Sequence, residues 1–247
     1  VEPDRLVAIA EAGGIVPLVA LLSSTNSQAR ENAAGGLWHL ALDPSNQIAI
    51  AKANGISPLV TILDDGTPQA HEHASQALAR LAVNNPDNQA QIAKHLVALL
   101  GNPSPGAQRR AAHALRDLGG NNPGSPVVIV NAGAISPLVT LLSLGTQEVK
   151  EESVGALSAL SLNSPSTQLA IATGLVALLG VGSADAQEHA TKLLLILARD
   201  SVNRTAIAEA AAVERLVMQI HGSSSIKAQE LAAAVLSYLT GNNLPGP

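Results

Sequence analysis

The sequence predicts an all-α fold, a solenoid of six stacked helical repeats in which repeats 3 and 5 are shortened. Composition is the first observation: 47% of the 247 residues are hydrophobic and 1% are aromatic, so the core is aliphatic and rich in helix-favouring Ala and Leu. The second is a set of apolar markers with a period of about 40 residues. The third is that units 3 and 5 lack the same five residues at the same place. We therefore expect one solenoid domain over residues 1–247.

Three columns of apolar residues define the repeat. A Leu-Val pair begins at Leu18, Leu59, Leu96, Leu138, Leu175 and Leu216. A Leu-x-x-Leu pair follows it, beginning at Leu37, Leu78, Leu115, Leu157, Leu194 and Leu236. An isoleucine precedes the Leu-Val pair, at Ile9, Ile50, Ile92, Ile129, Ile171 and Ile207. The isoleucine lies nine residues before the Leu-Val pair in four units and four residues before it in units 3 and 5. The units span approximately residues 1–45, 46–87, 88–125, 126–166, 167–202 and 203–247.

Each unit divides into three predicted helices. The first is about two turns long and ends at a glycine such as Gly13, Gly55 or Gly133. The second begins at a proline such as Pro17, Pro58 or Pro137, which is tolerated there because its missing N–H has no helical partner.

The third helix carries one apolar stripe, illustrated by Ala74, Leu78 and Leu81. Thr67-Pro68 and Gly145-Thr146 are suited to its start. Its predicted stops are Asn84-Asn85-Pro86, Asn163-Ser164-Pro165 and Gly119-Gly120. None of these helices can bury its stripe alone, but stacked units can.

A period near 40 residues with a short first helix resembles the armadillo repeat. AGGIVPLVALL, ANGISPLVTIL and AGAISPLVTLL are similar to its second helix, and ENAAGGLWHLA, EHASQALARLA and EESVGALSALS to its third. The resemblance implies a right-handed superhelix. Units 3 and 5 are similar to HEAT repeats, with their first two helices either straightened into one or joined by a tight bend. We expect this alternation to alter the superhelical curvature locally.

In armadillo proteins the third helices line a concave groove in which extended peptides lie, so the resemblance implies a binding site on these helices. Its predicted central column is Gly35, Gln76, His113, Gly155, Lys192 and Ala234. Four residues earlier stand Glu31, Glu72, Arg109, Glu151, Glu188 and Glu230. Four residues later stand His39, Arg80, Asp117, Ala159, Ile196 and Tyr238. Trp38 lies beside the stripe, as a packing residue or an exposed anchor, and Tyr238 is either a capping or a binding residue.

The column of five glutamates has two explanations, which the sequence leaves open. In the first explanation the column is predicted to lie in the first turn of each helix, where the macrodipole would stabilise an acid. Alternatively it is an acidic ladder for a basic extended partner, with one repeat for roughly every third peptide residue. Arg109 interrupts the ladder. The Trp and Asn pairs with which importin-type proteins bind nuclear localisation signals are not found at the corresponding positions, which argues against that activity.

Composition and motifs argue against several other functions. The chain has no Cys, and its formal net charge of −5 is unsuited to nucleic acid. The apolar run from Leu169 to Gly182 is shorter than a membrane span. In His71-Glu72-His73 the two histidines point to different sides of a helix, so a metal site is not expected. His113 and Asp117 are spaced to form a surface hydrogen bond rather than a catalytic dyad.

The sequence therefore predicts a noncatalytic scaffold or adaptor without a cofactor, which binds a protein or an extended peptide. In the acidic-ladder explanation this peptide is basic. From the resemblance we expect the chain in the cytoplasm or nucleus. The alternative is an architectural or self-assembling array that uses its convex or terminal surfaces.

Overall fold

The computed structural model describes residues 3–122, 124–161, 164–222 and 225–241, and within these ranges it contains sixteen α-helices and no strand. The helices of the first half of the chain are α1 (Pro3–Glu11), α2 (Ile15–Leu21), α3 (Ser27–Leu40), α4 (Pro44–Lys52), α5 (Ile56–Asp65), α6 (Pro68–Ala82), α7 (Pro86–Leu100) and α8 (Pro105–Asn121). Those of the second half are α9 (Ser125–Asn131), α10 (Ile135–Leu144), α11 (Gln147–Leu160), α12 (Pro165–Val181), α13 (Ala184–Ala198), α14 (Ser201–Glu209), α15 (Ala212–Gly222) and α16 (Ile226–Leu239).

A left-handed residue separates the first helix from the second in the long units. Gly13 and Gly133 have φ of +80° and +87°, and Asn54 and Ala211 occupy the same column with φ of +60° and +59°. In the first unit the Gly13 N–H donates to the Ala10 carbonyl, and the next N–H, of residue 14, donates to the carbonyl of residue 9. This pair of bonds is a Schellman motif, which turns the chain and satisfies the end of α1. In the second unit the turn falls on Asn54 rather than on the predicted Gly55.

Units 3 and 5 lack this turn, and α7 and α12 each run as one helix where other units have two. Of the two arrangements expected, the structure has the straightened one. The missing residues leave Ile92 and Leu96, like Ile171 and Leu175, four positions apart, so both markers lie on one face of a single helix. All four side chains are buried, like the corresponding residues Ile50 and Leu59 of the long second unit.

Two predicted boundaries were wrong. The second helices begin at Ile15, Ile56 and Ile135, two residues before the prolines, because a proline at the third position still lies among the unpaired N–H groups of the first turn.

Helix α8 continues past the predicted stop at Gly119-Gly120 to Asn121. Gly119 is buried there, and an added Cβ would lie 3.0 Å from Leu160 Cδ2, so this glycine permits close packing of α8 on α11 instead of ending the helix. Asn163, in the predicted stop Asn163-Ser164-Pro165, lies outside the described residues.

Buried amide side chains join successive units. Asn88 and Gln89, near the start of α7, donate through Nδ2 and Nε2 to the Leu81 and Ala82 carbonyls at the end of α6, each at 2.8 Å. Equivalent bonds run from Asn46, Gln47, Thr167 and Gln168 to the carbonyls of Leu40, Ala41, Leu160 and Ser161. These bonds satisfy carbonyls that a helix end leaves unpaired. The recurring Asn-Gln and Thr-Gln pairs were a sequence signal that the apolar markers do not include.

Within the described ranges, no single helix combines the length and apolar character that crossing a membrane requires. Ser125–Asn131 and Ile135–Leu144 meet that requirement only as a pair, and they are bent by 76° at their junction.

Candidate functional site

The third helices of the units are α3, α6, α8, α11, α13 and α16, and the predicted site residues lie on them. The glutamate column holds the fifth position of every one of these helices. Its predicted placement in the first turn was therefore wrong, since a first turn ends at the fourth residue. The macrodipole effect falls off within the first turn, so it accounts poorly for this column.

The glutamates differ in their contacts. Glu31 accepts a 2.6 Å hydrogen bond from the Oγ1 of Thr67, the residue that caps α6, and Glu188 forms an ion pair of 3.1 Å with Lys227 on α16. Glu72 and Glu151 are exposed, and the hydrogen bonds described for them come from Gln76 and Gln147 of their own helices. Glu230 is exposed as well.

The expected exposure of the central column holds only in part. Lys192 is exposed, whereas Gln76, His113, Gly155 and Ala234 are half-buried. Gly35 is buried, because the imidazole of His73 lies against it: an added Cβ would stand 3.0 Å from His73 Nδ1. Among the residues four positions later, Arg80 and Ile196 are exposed, and His39, Asp117, Ala159 and Tyr238 are half-buried.

Trp38 packs between two units. Its indole stacks on His73 of α6, with ring centroids 5.7 Å apart, and also contacts the His39 ring at 4.6 Å. Of its two predicted roles, these contacts favour packing.

The third helices are not packed uniformly. Helix α3 packs extensively along α6, α8 along α11 and α13 along α16, whereas α6 with α8 and α11 with α13 make much smaller contacts. In both loosely packed pairs the second helix belongs to a shortened unit. For the pair α6 and α8, the side chains that face the space between the helices account for the difference.

Two side chains meet in each space. One stands three residues after the central-column residue of the first helix, and the other stands three residues before the central-column residue of the next third helix. Between α3 and α6 they are Trp38 and His73, which stack, and between α8 and α11 they are Arg116 and Glu152, whose Nη1 and Oε2 are 2.6 Å apart. Between α6 and α8 the first is only Ala79, and the second, Arg110, is directed to α5, where its Nη2 donates to the Asp64 carbonyl at 3.2 Å. The space between α6 and α8 therefore stays open.

This space, the α6–α8 cleft, consists of two adjoining voids of about 330 and 580 Å³. Both are lined by Gln76, Ala79, His113, Asp117 and Asn121. The smaller void extends inward to Ile92 and Leu96 of α7 and outward to Arg80, while the larger one includes Glu72 and Arg109. Six predicted site residues are thus brought to one cleft: Glu72, Gln76, Arg80, Arg109, His113 and Asp117.

One wall of the cleft carries a charged network that includes two residues absent from the prediction, Arg116 and Glu152. His113 Nε2 lies 3.3 Å from Asp117 Oδ2, and His113 Nδ1 lies 3.3 Å from Glu152 Oε1. Arg116 joins this network through Nη1, which donates to Glu152 Oε2 at 2.6 Å, and through Nη2, which lies 2.7 Å from His113 Nδ1. Both could have been found from the sequence, because Arg116 stands three residues after, and Glu152 three residues before, a residue of the predicted central column.

His71 lies at the other end of the cleft. Burial, assisted by the nearby charge of Arg110, lowers the pKa of its imidazole, which favours the neutral ring. Among the described residues there is no group of three or more His, Asp or Glu that could hold a metal ion. The arrangement of an apolar floor and polar rim is suited to binding.

The armadillo/beta-catenin-like repeat family model matches residues 3–42 and 122–162. Several similar solved structures are engineered proteins. Northeast Structural Genomics Consortium target OR329 is 28% identical with a TM-score of 0.55, over 93% of this chain and 97% of its own. Target OR497 of the same consortium is 30% identical with a TM-score of 0.53, over 96% of this chain and 61% of its own.

A designed armadillo repeat protein in complex with peptide (KR)4 is 24% identical with a TM-score of 0.54, over 91% of this chain and 99% of its own. No curated protein matches the chain. The family match and these structures confirm the resemblance that the repeated phrases indicated, and with it the all-α solenoid fold.

Proposed function

The chain is an all-α solenoid of the armadillo-repeat kind, and on that premise we propose that it is a noncatalytic scaffold that binds an extended segment of another protein across its third helices. The observation that carries the proposal is the α6–α8 cleft, which opens between two third helices and continues the exposed surface they share. One similar structure is a complex with the peptide (KR)4, but at 24% identity that likeness concerns the fold. The proposal therefore depends on this chain's own side chains.

The partner segment that suits this surface is basic where it crosses Glu72 and Glu151. Both carboxylates are exposed, and within the described ranges their hydrogen bonds come from glutamines of their own helices, so each can accept a further, charge-assisted hydrogen bond. Glu31 and Glu188 are already bonded to the next third helix and contribute less. Arg109 lies between the two free acids in the column and disfavours a basic side chain at that point.

The test is fluorescence anisotropy with labelled dodecapeptides of three compositions: alternating Lys and Arg, alternating Glu and Lys, and Gly and Ser only. We expect the basic peptide to bind most tightly, and the double variant Glu72→Lys/Glu151→Lys to bind it at least about tenfold more weakly, since two contacts of about 1 kcal/mol or more become repulsive.

The matched control is Glu209→Lys/Glu214→Lys. It makes the same change in net charge at exposed positions on α14 and α15, outside the third helices. Equal weakening by both double variants would reduce the effect to net charge, and equal affinity for all three peptides would overturn the proposal.

A further inference from the structure

The α6–α8 cleft has the features of a pocket for one particular residue of the bound segment. We propose that it takes an apolar anchor side chain of the partner, and that the partner carries a carboxylate next to this anchor. The inference rests on the proposed function, since it assigns a chemistry to one point of the same surface.

The depth and lining of the cleft favour an apolar side chain. Ile92 and Leu96 of α7 are each only 1% exposed, yet they line the inner end of the smaller void. Leu78, Ala114 and Leu118 line the same void. An apolar side chain that enters the cleft meets these aliphatic groups and loses contact with water, which is the favourable exchange that drives such binding.

The cleft cannot be closed by the protein's own side chains without loss. Ala79 is too short to reach across, and Arg110 is the only long side chain at the facing position. Its Nε and Nη2 donate to the Leu63 and Asp64 carbonyls at the end of α5. If Arg110 turned into the cleft, those carbonyls would lose a charged donor, which favours the open arrangement.

The charges at the rim favour a carboxylate beside the anchor. Asp117 and Glu152 are paired with His113 and Arg116 in the network described above. Arg80 and Arg109 are exposed, and in the described ranges neither forms a hydrogen bond or ion pair through its side chain. The lining of the two voids holds three arginines, Arg80, Arg109 and Arg110, against Glu72, Asp117 and Glu152, so its formal charges balance. Arg110 is engaged by the α5 carbonyls, which leaves the donors of Arg80 and Arg109 available at the rim. An acidic residue next to the anchor would complement them.

The inference is tested by two-dimensional amide NMR of the isotope-labelled whole chain, titrated with three blocked tetrapeptides. Their central pairs are Leu-Asp, Ala-Asp and Leu-Lys. We expect the Leu-Asp peptide to shift the amide signals of Gln76, Ala79 and Asn121 saturably. The Ala-Asp peptide should bind about tenfold more weakly because it buries less apolar surface, and the Leu-Lys peptide about threefold more weakly because it meets the unpaired arginines.

Two variants separate the cleft from the rest of the surface. Ala79→Leu fills the cleft from an exposed position and should abolish the Leu-Asp response, whereas Ala90→Leu makes the same change at an exposed position of α7 outside the cleft and should preserve it. The double variant Arg80→Ala/Arg109→Ala should remove the preference for Leu-Asp over Leu-Lys. Signal shifts elsewhere on the chain, or equal affinity for all three peptides, would overturn the inference.

The two proposals fail separately. If the basic dodecapeptide binds in a manner that depends on Glu72 and Glu151 while Ala79→Leu changes nothing, the anchor pocket is wrong and the scaffold function stands. If the Leu-Asp peptide occupies the cleft while no long segment binds, the pocket stands and the scaffold function falls.

Discussion

The indole of Trp38 stacks on the imidazole of His73 with their planes inclined by 22°. This pair fills the space between α3 and α6, whereas the equivalent space between α6 and α8 stays open. The pair α3 and α6 thus differs from the pair α6 and α8 chiefly in the two side chains that face the space between the helices. Gly35 contributes by leaving room for the His73 ring. The cleft follows from an alanine, Ala79 of α6, at the position that holds Trp38 in the preceding third helix, and from the hydrogen bonds that Arg110 donates to α5.

Replacing Trp38 with alanine should destabilise the protein by about 2 kcal/mol, below the 3–5 kcal/mol typical of a fully buried tryptophan because this side chain is half-buried. The measurement is urea unfolding followed by circular dichroism. Met218→Ala is the control, since Met218 is large, apolar and 62% exposed. Equal losses from the two variants would show that Trp38 does not pack between the units.

The left-handed residue between α14 and α15 is an alanine, where the first and fourth units have a glycine. Ala211→Gly should therefore stabilise the protein by about 1 kcal/mol, because an L-residue with a Cβ is strained at a φ of +59°. Gly133→Ala should cost a similar amount in the matching position of the fourth unit. Thermal and urea unfolding measure both, and a loss of stability in Ala211→Gly would contradict the assignment of strain at this turn.

The repeat and its helices could be predicted because the apolar markers report directly on burial. Ile50 and Leu59 are both fully buried, as the marker columns predict, although Ile9, the corresponding isoleucine of the first unit, is 46% exposed. The site was harder to predict from the sequence, because the exposure of a side chain on a solenoid depends on how neighbouring units fill the space between them. Gly35 was expected on the surface and is buried under His73, a residue of the next unit. The cleft depends on the direction of the Arg110 side chain, which no pattern in the sequence specifies.

The buried amide of Gln89 should contribute more to the free energy of unfolding than the amide of an exposed glutamine near the start of another helix. Gln89→Ala removes the 2.8 Å donor to the Ala82 carbonyl and leaves that group with only the longer bond, 3.4 Å, from the Asn85 N–H, so we expect a loss of about 1 kcal/mol. Gln147→Ala, which removes an exposed hydrogen bond to Glu151, should change the free energy of unfolding by less than about 0.5 kcal/mol. Urea unfolding of both variants makes the comparison, and equal losses would contradict the capping role of the amide.

Asp43 should contribute to the dependence of stability on pH. A hydrogen bond from the Ser45 hydroxyl, with backbone N–H donors at the start of α4, lowers the pKa of this carboxyl below its ordinary value of 3.8. A carboxyl with a lowered folded-state pKa stabilises the fold above its unfolded pKa and loses that contribution as the pH falls through the folded value. Asp43→Asn keeps a capping oxygen but does not titrate.

The free energy of unfolding of the wild type should therefore exceed that of Asp43→Asn by a constant amount above about pH 5, and the difference should shrink as the pH falls below about 4. Urea unfolding across this range measures it. In Ser45→Ala the carbon NMR titration of the Asp43 carboxyl should move toward its ordinary pKa. A difference between wild type and Asp43→Asn that does not change with pH would contradict the lowered pKa.

Glu148 and Glu151 lie in the second and fifth positions of α11, and they separate the two explanations of the acidic column. Glu148 is in the first turn, where its pKa is lowered chiefly by a backbone N–H and by the Thr146 hydroxyl. Glu148→Gln should therefore lower stability at neutral pH and leave affinity for a basic dodecapeptide unchanged. Glu151→Gln should do the reverse, with a stability change within about 0.3 kcal/mol and weaker binding, because the fifth position lies beyond the reach of the macrodipole. Urea unfolding and anisotropy on the same two variants decide the matter: a clear loss of stability in Glu151→Gln with unchanged affinity would make the column a device of helix stability.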